Sequence, residues 1–359
     1  MCNVWKNPSI PSEEISLETL KKIPGGQHTI NLTGGEPTLR ADLMEIVDIL
    51  HPKTTNLEIS SNGLLPHKLE PIIQKYPDIK IRFSLEGFET VNNMIRGEKD
   101  GFTIKTNGLL RLKELGGTDL GFAVTIQDDN VADVVNLFRF AEKHGFELST
   151  STLHNGFQFY KNDNFPYDRL KVARSIEELI TEQLKTGDIK NWFRAYMGLG
   201  LIAKVLGNNR LLPCEMGYVS AFIDPWGKVY ACNVRPDVYM GDLNNQTLDE
   251  IMTSPAAEEA RRKVDQCKQN CWMVGSAKSA MRQSKFTKLP RWQPFIWVLK
   301  NKTKVTMGQP IDFRKYINYS LPAETIPTPV RSSYLNQQAE RIVQKKEDKH
   351  YDLGEFMNK

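Results

Sequence analysis

Residues 28–63 read HTINLTGGEPTLRADLMEIVDILHPKTTNLEISSNG, and this stretch decides the fold. An apolar run ends in Thr33-Gly34-Gly35-Glu36-Pro37. A segment follows with Leu43, Ile46, Val47 and Leu50 at i, i+3, i+4 and i+7, and then a second β-rich run ends in Ser60-Ser61-Asn62-Gly63. Apolar spacing of that kind predicts a helix between two strands. The unit repeats outward: IKIRFSLEG, LGFAVTIQDD and FELSTST are further strands, with a helical stripe at Val131, Val134, Val135 and Phe138. Alternation of this sort implies parallel strands joined by crossover helices. Near-continuous apolar strands such as FAVTI suit a sheet buried on both faces. The expected class is α/β, a complete or partial β/α barrel with its functional loops at the strand C-terminal ends. Three successive strands end in turn-forming residues, the third in Ser84-Leu85-Glu86-Gly87. Paired glycines there let a ligand approach the backbone closely.

Composition bounds the alternatives. The chain has 359 residues, 40% hydrophobic and 25% charged, which is that of a globular protein with one main domain and a smaller appendage. It has no transmembrane segment of roughly 20 apolar residues and no signal-type N-terminus, so a cytoplasmic location is expected. A net charge of +4 does not by itself point to nucleic acid. None of the six histidines stands in a metal-ligand pattern.

The five cysteines are Cys2, Cys214, Cys232, Cys267 and Cys271. An odd number in a cytoplasmic-type chain favours thiolates that hold metal over a disulfide framework. PCEMGYVSAFIDPWGKVYACN reads as a hairpin turning at Asp224-Pro225-Trp226-Gly227, with Cys214 before its first strand and Cys232 at the end of its second. A helix then leads to Cys267 and Cys271. A hairpin and a helix end can bring four thiolates to one centre, and iron-sulfur and structural zinc both suit such a set.

The strand-end loops, TGGEP above all, resemble those of the radical S-adenosylmethionine (SAM) superfamily. The resemblance implies a partial (β/α)6 barrel whose first strand is missing here. Gly34, Gly35 and Glu36 would receive the SAM amino group, with Pro37 fixing the turn and Thr33 and Asn62 beside it. Ser84 and Glu86 would lie near the ribose or carboxylate, and Arg96 would pair with the carboxylate. Cys2 resembles the third cysteine of the family's C-x-x-x-C-x-x-C loop, which holds a [4Fe-4S] cluster, and Met1 the apolar position near the adenine. The other two cysteines of that loop would precede Met1. The SAM-binding ligand set is therefore incomplete as written, which reads either as a start upstream or as a truncation that impairs activity. The late cysteines are similar to a shortened SPASM-type (twitch) appendage, implying one auxiliary [4Fe-4S] cluster held by Cys214, Cys232, Cys267 and Cys271.

The implied activity is generation of a 5'-deoxyadenosyl radical that abstracts hydrogen from a small-molecule or peptide substrate, with electrons from a donor such as flavodoxin or ferredoxin. The alternatives are a non-catalytic scaffold of the same fold and a zinc-containing binding module. The expected organisation is a partial barrel over 1–165, a helical connection over 166–207, the auxiliary-cluster domain over 208–275, a basic aromatic extension over 276–325 and a polar tail over 326–359. In the connection, Trp192, Phe193, Tyr196, Met197, Leu199 and Leu201 form an apolar segment suited to core or to roofing the barrel. From Trp272 to Ile311 the chain has no acid and eight basic residues: Lys278, Arg282, Lys285, Lys288, Arg291, Lys300, Lys302 and Lys304. Phe286, Trp292, Phe295 and Trp297 interleave with them. Such a stretch fits either a solvated extension or a partner bearing phosphate: a substrate, nucleic acid, or a membrane face touched peripherally.

Overall fold

The structure is a computed structural model that describes residues 2–161, 163–282 and 291–320. Met1, Lys285, Phe286, Lys288 and the 326–359 tail lie outside the described residues.

After a short helix α1 (Leu17–Lys21), the chain alternates as the sequence pattern requires. The order is β1 (Ile30–Leu32), α2 (Leu43–Leu50), β2 (Leu57–Ser61), α3 (Glu70–Lys75), β3 (Lys80–Ser84), α4 (Glu89–Arg96), α5 (Gly101–Glu114), β4 (Asp119–Ile126), α6 (Val134–His144) and β5 (Glu147–Thr152). The five strands form one parallel sheet in sequential order, a partial barrel. Register places Ile59 beside Ile81 and Phe83 beside Phe122, all fully buried. Burying one such side chain stabilises by roughly 1.5–3 kcal/mol, so the pattern that writes the strands also supplies the core.

Leu43, Ile46, Val47 and Leu50 are all buried, as their spacing predicts. The stripe of α6 is displaced by one turn. It buries Val134, Leu137, Phe138 and Ala141, because Val131 sits in the turn before the helix.

A helical pair follows, α7 (Arg169–Lys185) and α8 (Ile189–Val205). Gly200 of α8 lies flush against the indole of Trp272, where an added Cβ would stand 1.9 Å from Cε2. The small sheet beyond is antiparallel, in the order β6 (Phe222–Ile223), β7 (Lys228–Tyr230), β8 (Tyr239–Asp242). Its first turn is the hairpin read from the sequence: Asp224 Oδ1 accepts from the N–H groups of Trp226 and Lys228, and Gly227 takes a φ of +85°. The hairpin reading omits β8, and the single helix expected before Cys267 is two, α9 (Leu248–Thr253) and α10 (Pro255–Asp265). Helices α11 (Val274–Arg282) and α12 (Trp292–Thr306) complete the described order. No described helix is long and apolar enough to cross a membrane.

Candidate functional site

The loops after β1 and β2 are tied together by Glu36. Its Oε1 accepts from Thr38 N–H (3.1 Å), Thr38 Oγ1 (2.7 Å) and Ser61 Oγ (2.8 Å), and its Oε2 accepts from Asn62 N–H (2.6 Å). A carboxylate has about four acceptor positions, two on each oxygen, so Oε1 is fully used while Oε2, with a single donor, keeps a position open. The side chain thus ties the neighbouring loop, and the open position on Oε2 together with the backbone carbonyls of the glycine pair is what the loop has left to offer. Gly34 adopts a φ of +136°, a backbone conformation only glycine takes without strain. Asn62 Oδ1 accepts from Leu64 N–H at 2.8 Å and holds its own turn.

The Cys2 segment lies on the same face. A Cβ on Gly35 would meet Val4 Cγ1 at 3.4 Å, and Asn3 N–H donates to the Phe159 carbonyl at 2.8 Å. Asn3 Nδ2 donates to the Tyr160 carbonyl at 3.0 Å. The segment is thereby pinned between the TGGEP loop and the stretch after β5, with the Cys2 thiol half-buried.

Glu86 lies beneath the face instead of on it. It is 2% exposed, its Oε1 accepting from Arg96 Nη1 at 3.0 Å and its Oε2 from Thr125 N–H at 2.8 Å. Burial pushes its carboxyl above the usual range, against the pull of Arg96 and the Thr125 N–H. Arg96 Nε donates to Glu98 at 3.0 Å, and Glu98 pairs with fully buried Lys105, whose ammonium burial lowers to about 8. Asn92 and Asn130 fix the loop backbone, Asn92 Oδ1 accepting from Glu86 N–H and Asn130 Nδ2 donating to the Glu86 carbonyl. Glu86, expected near the ribose or carboxylate, thus stands against Arg96, with one oxygen on that arginine and the other on the Thr125 N–H. Ser84 ends β3, half-buried.

The four late cysteines are free and half-buried. Cys214, Cys232 and Cys271 interact electrostatically with one another and with Cys267, and burial raises those three thiols. Arg210 Nη1 stands 3.9 Å from Cys271 Sγ, the backbone N–H groups of Met216, Val234 and Arg235 favour the thiolate forms of Cys214 and Cys232, and the Arg235 guanidinium interacts with Cys267. Among the described residues no three His, Cys, Asp or Glu side chains stand as a single-ion group. A cubane spreads its four thiolates more widely than one ion does, and N–H donors aimed at sulfur are what thiolate ligands of a cluster require. The donor set fits an auxiliary [4Fe-4S] cluster.

Sequence reasoning missed the residues that support this centre. Lys204, lowered to about 8 by burial, donates to the carbonyls of Thr152 (3.2 Å) and Leu153 (2.9 Å) at the end of β5 and lies in the field of Cys271. His154, lowered to about 4 chiefly by burial and then by Lys204, stacks edge-on to Phe159. The auxiliary centre thus adjoins the barrel's strand-end face. The one sequence signal for the arginines is their closeness to cysteines, in RLLPC and CNVR.

A parallel partial barrel with a glycine-glutamate loop at its strand ends, followed by a four-cysteine appendage, defines a SAM-binding iron-sulfur class. The family comparisons give the same assignment. The radical SAM superfamily model matches residues 2–141, and SPASM, an iron-sulfur cluster-binding domain, matches residues 214–272. The chain thus carries a radical SAM domain and a SPASM domain. It is similar to mycofactocin maturase MftC of Mycolicibacterium smegmatis, 28% identical over 213 residues, covering 56% of this chain and 51% of that protein. It is also similar to the sporulation killing factor maturation protein SkfB of Bacillus subtilis, 25% identical over 269 residues, covering 72% and 61%. The chain thus spans about half to three fifths of the length of these relatives. Its fold is shared with polyhistidine-tagged anSMEcpe solved with bound AdoMet, at a TM-score of 0.51 and 14% identity, over 84% of this chain and 90% of that one.

Proposed function

We propose that the chain is a maturase that acts on a precursor peptide with SAM, a SAM-binding [4Fe-4S] cluster and one auxiliary [4Fe-4S] cluster. The observation that carries the reading is the single face on which Glu36 joins the first two strand-end loops and Val4 lays the Cys2 segment on Gly35. The names of the two relatives, both maturation proteins, support the substrate class.

SAM at a reduced cluster supplies a 5'-deoxyadenosyl radical that takes hydrogen from an unreactive C–H bond, chemistry that no side chain offers. The chain's own residues bind and orient. Cys2 is the thiolate on this face, and the Gly34 and Gly35 carbonyls, with the open position on Glu36 Oε2, take the ammonium. Arg96, fixed by Glu86 and Glu98, is assigned the carboxylate, with Thr33, Asn62 and Ser84 along the remaining edge. Pro37 stiffens the turn. Cys214, Cys232, Cys267 and Cys271 hold the auxiliary cluster, and a flavodoxin- or ferredoxin-type protein supplies electrons.

The test is release of 5'-deoxyadenosine from SAM by the anaerobically purified natural protein under reduction. Release that Cys2→Ala abolishes supports the proposal. Bound SAM and loaded clusters without release would make the chain a non-catalytic scaffold.

A further inference from the structure

Helix α12 is apolar on two opposite sides. Its inner side packs Pro294, Trp297, Val298 and Asn301 into the protein, with Trp297 edge-on to Tyr196 at 5.5 Å and Tyr316 at 6.1 Å. Its outer side shows Trp292, Phe295, Ile296 and Leu299, which are 68%, 41%, 63% and 60% exposed. These positions follow i, i+3, i+4, i+7, so they form one stripe along the helix. A contiguous exposed stripe of large side chains marks a contact surface, whereas scattered single ones need no explanation.

The charges beside the stripe identify what it contacts. Exposed Lys300 borders the stripe, half-buried Lys304 follows one turn on along the same side of the helix, and no acid occurs in the sequence from Trp272 to Ile311. Two other cations of this segment are committed inward: Lys302 donates to the carbonyls of Leu184 (2.7 Å) and Thr186 (2.9 Å), and Arg291 pairs with buried Glu215 beside Cys214. The helix is therefore anchored on its inner side, with an aromatic-aliphatic stripe outward and a basic edge beside it. A second copy is a poor occupant. A two-fold pairing through so narrow a stripe would bring the same lysines of both chains to one seam, and four side chains fall well below the roughly 1,000 Å² a stable interface needs.

We propose that α12 is an interfacial helix that seats the protein on an anionic lipid surface, its stripe of Trp292, Phe295, Ile296 and Leu299 entering the headgroup boundary and Lys300 and Lys304 meeting the lipid phosphates. Amphipathic helices bind membranes by this combination of buried apolar area and attraction to anionic headgroups, and lysine stems reach past an apolar surface to do so. The inference is independent of the radical chemistry proposed above.

The experiment is sedimentation of the full chain with vesicles of phosphatidylglycerol and phosphatidylcholine, against vesicles of phosphatidylcholine alone. The wild-type chain pellets with the anionic vesicles, less so as salt rises, and at least about tenfold less with the neutral ones. The double variant Ile296→Glu, Leu299→Glu, placed on solvent-exposed positions, binds at least about tenfold more weakly at unchanged Tm. Lys300→Gln with Lys304→Gln weakens binding to the anionic vesicles and reduces the salt dependence. No pelleting of the wild-type chain overturns the proposal, as does equal pelleting of the Ile296→Glu, Leu299→Glu variant or equal binding to neutral vesicles. So does light scattering that shows a lipid-free dimer dissolved by the same substitutions, which would assign the stripe to a second copy.

Discussion

Arg210 holds Nη1 3.9 Å from the Cys271 sulfur while its guanidinium lies 5.0 Å over the indole of Trp272. The geometry is fixed on every side. Nε donates to the Leu212 carbonyl at 2.9 Å, and the two terminal nitrogens donate to Ser276 Oγ (3.3 Å) and the Ser276 carbonyl (2.9 Å). A positive charge and an N–H on a ligand sulfur stabilise the reduced cluster, which carries the extra electron. Arg210→Gln is therefore expected to lower the auxiliary-cluster midpoint potential. A charge-assisted hydrogen bond is worth about 1.5–3 kcal/mol, which for one electron corresponds to about 60–130 mV. EPR-monitored redox titration measures the shift; an unchanged potential would mean that Arg210 serves only packing.

Gly200 and Trp272 set the position of the neighbouring Cys271, the proposed cluster ligand. Trp272 is fully buried and its Nε1 donates to the Met197 carbonyl at 2.9 Å. Gly200→Ala would place its methyl inside the indole, so the tryptophan and the cysteine beside it must shift. Overpacking of this kind costs roughly 1–3 kcal/mol. The variant should show a lower Tm and poorer cluster retention, and Trp272→Leu in the same chain should recover part of both.

Glu36→Gln should weaken SAM binding without touching the auxiliary cluster. The amide keeps one acceptor oxygen but turns an NH2 toward a backbone or hydroxyl donor, so one of the four hydrogen bonds to Thr38, Ser61 and Asn62 is lost. An unsatisfied donor costs about 1–3 kcal/mol, or roughly five- to a hundredfold in affinity if the loop geometry carries that cost. Calorimetry with SAM reads the loss, and unaltered affinity would show that the ligand does not feel this loop.

How much of this is legible in the sequence follows from how far apart the partners lie along the chain. The stripe Leu43, Ile46, Val47, Leu50 and the Asp224–Gly227 turn are local, and both appear where their residues predict. Strand β8 has four residues including a glycine and is a strand because β7 pairs with it, so its own pattern carries little signal. The TGGEP loop is readable as a proposed ligand loop, but not what holds Glu36, since Ser61 and Asn62 arrive only when β2 folds beside β1. Arg210 meets Cys271, and Lys204 meets the end of β5, through tertiary packing alone. No spacing rule reaches across such separations.

His154 makes stability depend on pH. Burial and the Lys204 charge lower its folded-state value to about 4 from 6.5, so the unfolded chain binds the proton more readily. Stability is then full above about pH 6.5 and falls as pH drops through that window toward 4. At pH 5 the loss from this group is of order 2 kcal/mol. Denaturant titrations at pH 7 and pH 5 should differ less in His154→Gln than in the wild-type chain; an equal difference in both would place the titrating group elsewhere.

The central claim, that the late cysteines form one cluster site separate from Cys2, is tested most directly by iron, sulfide and Mössbauer analysis of the anaerobically purified Cys2→Ala variant. The account predicts about four irons and four sulfides per chain with a [4Fe-4S] spectrum, and loss of that signal when Cys271→Ala is added. Zinc in place of iron, or a Cys2→Ala chain devoid of cluster, would contradict it.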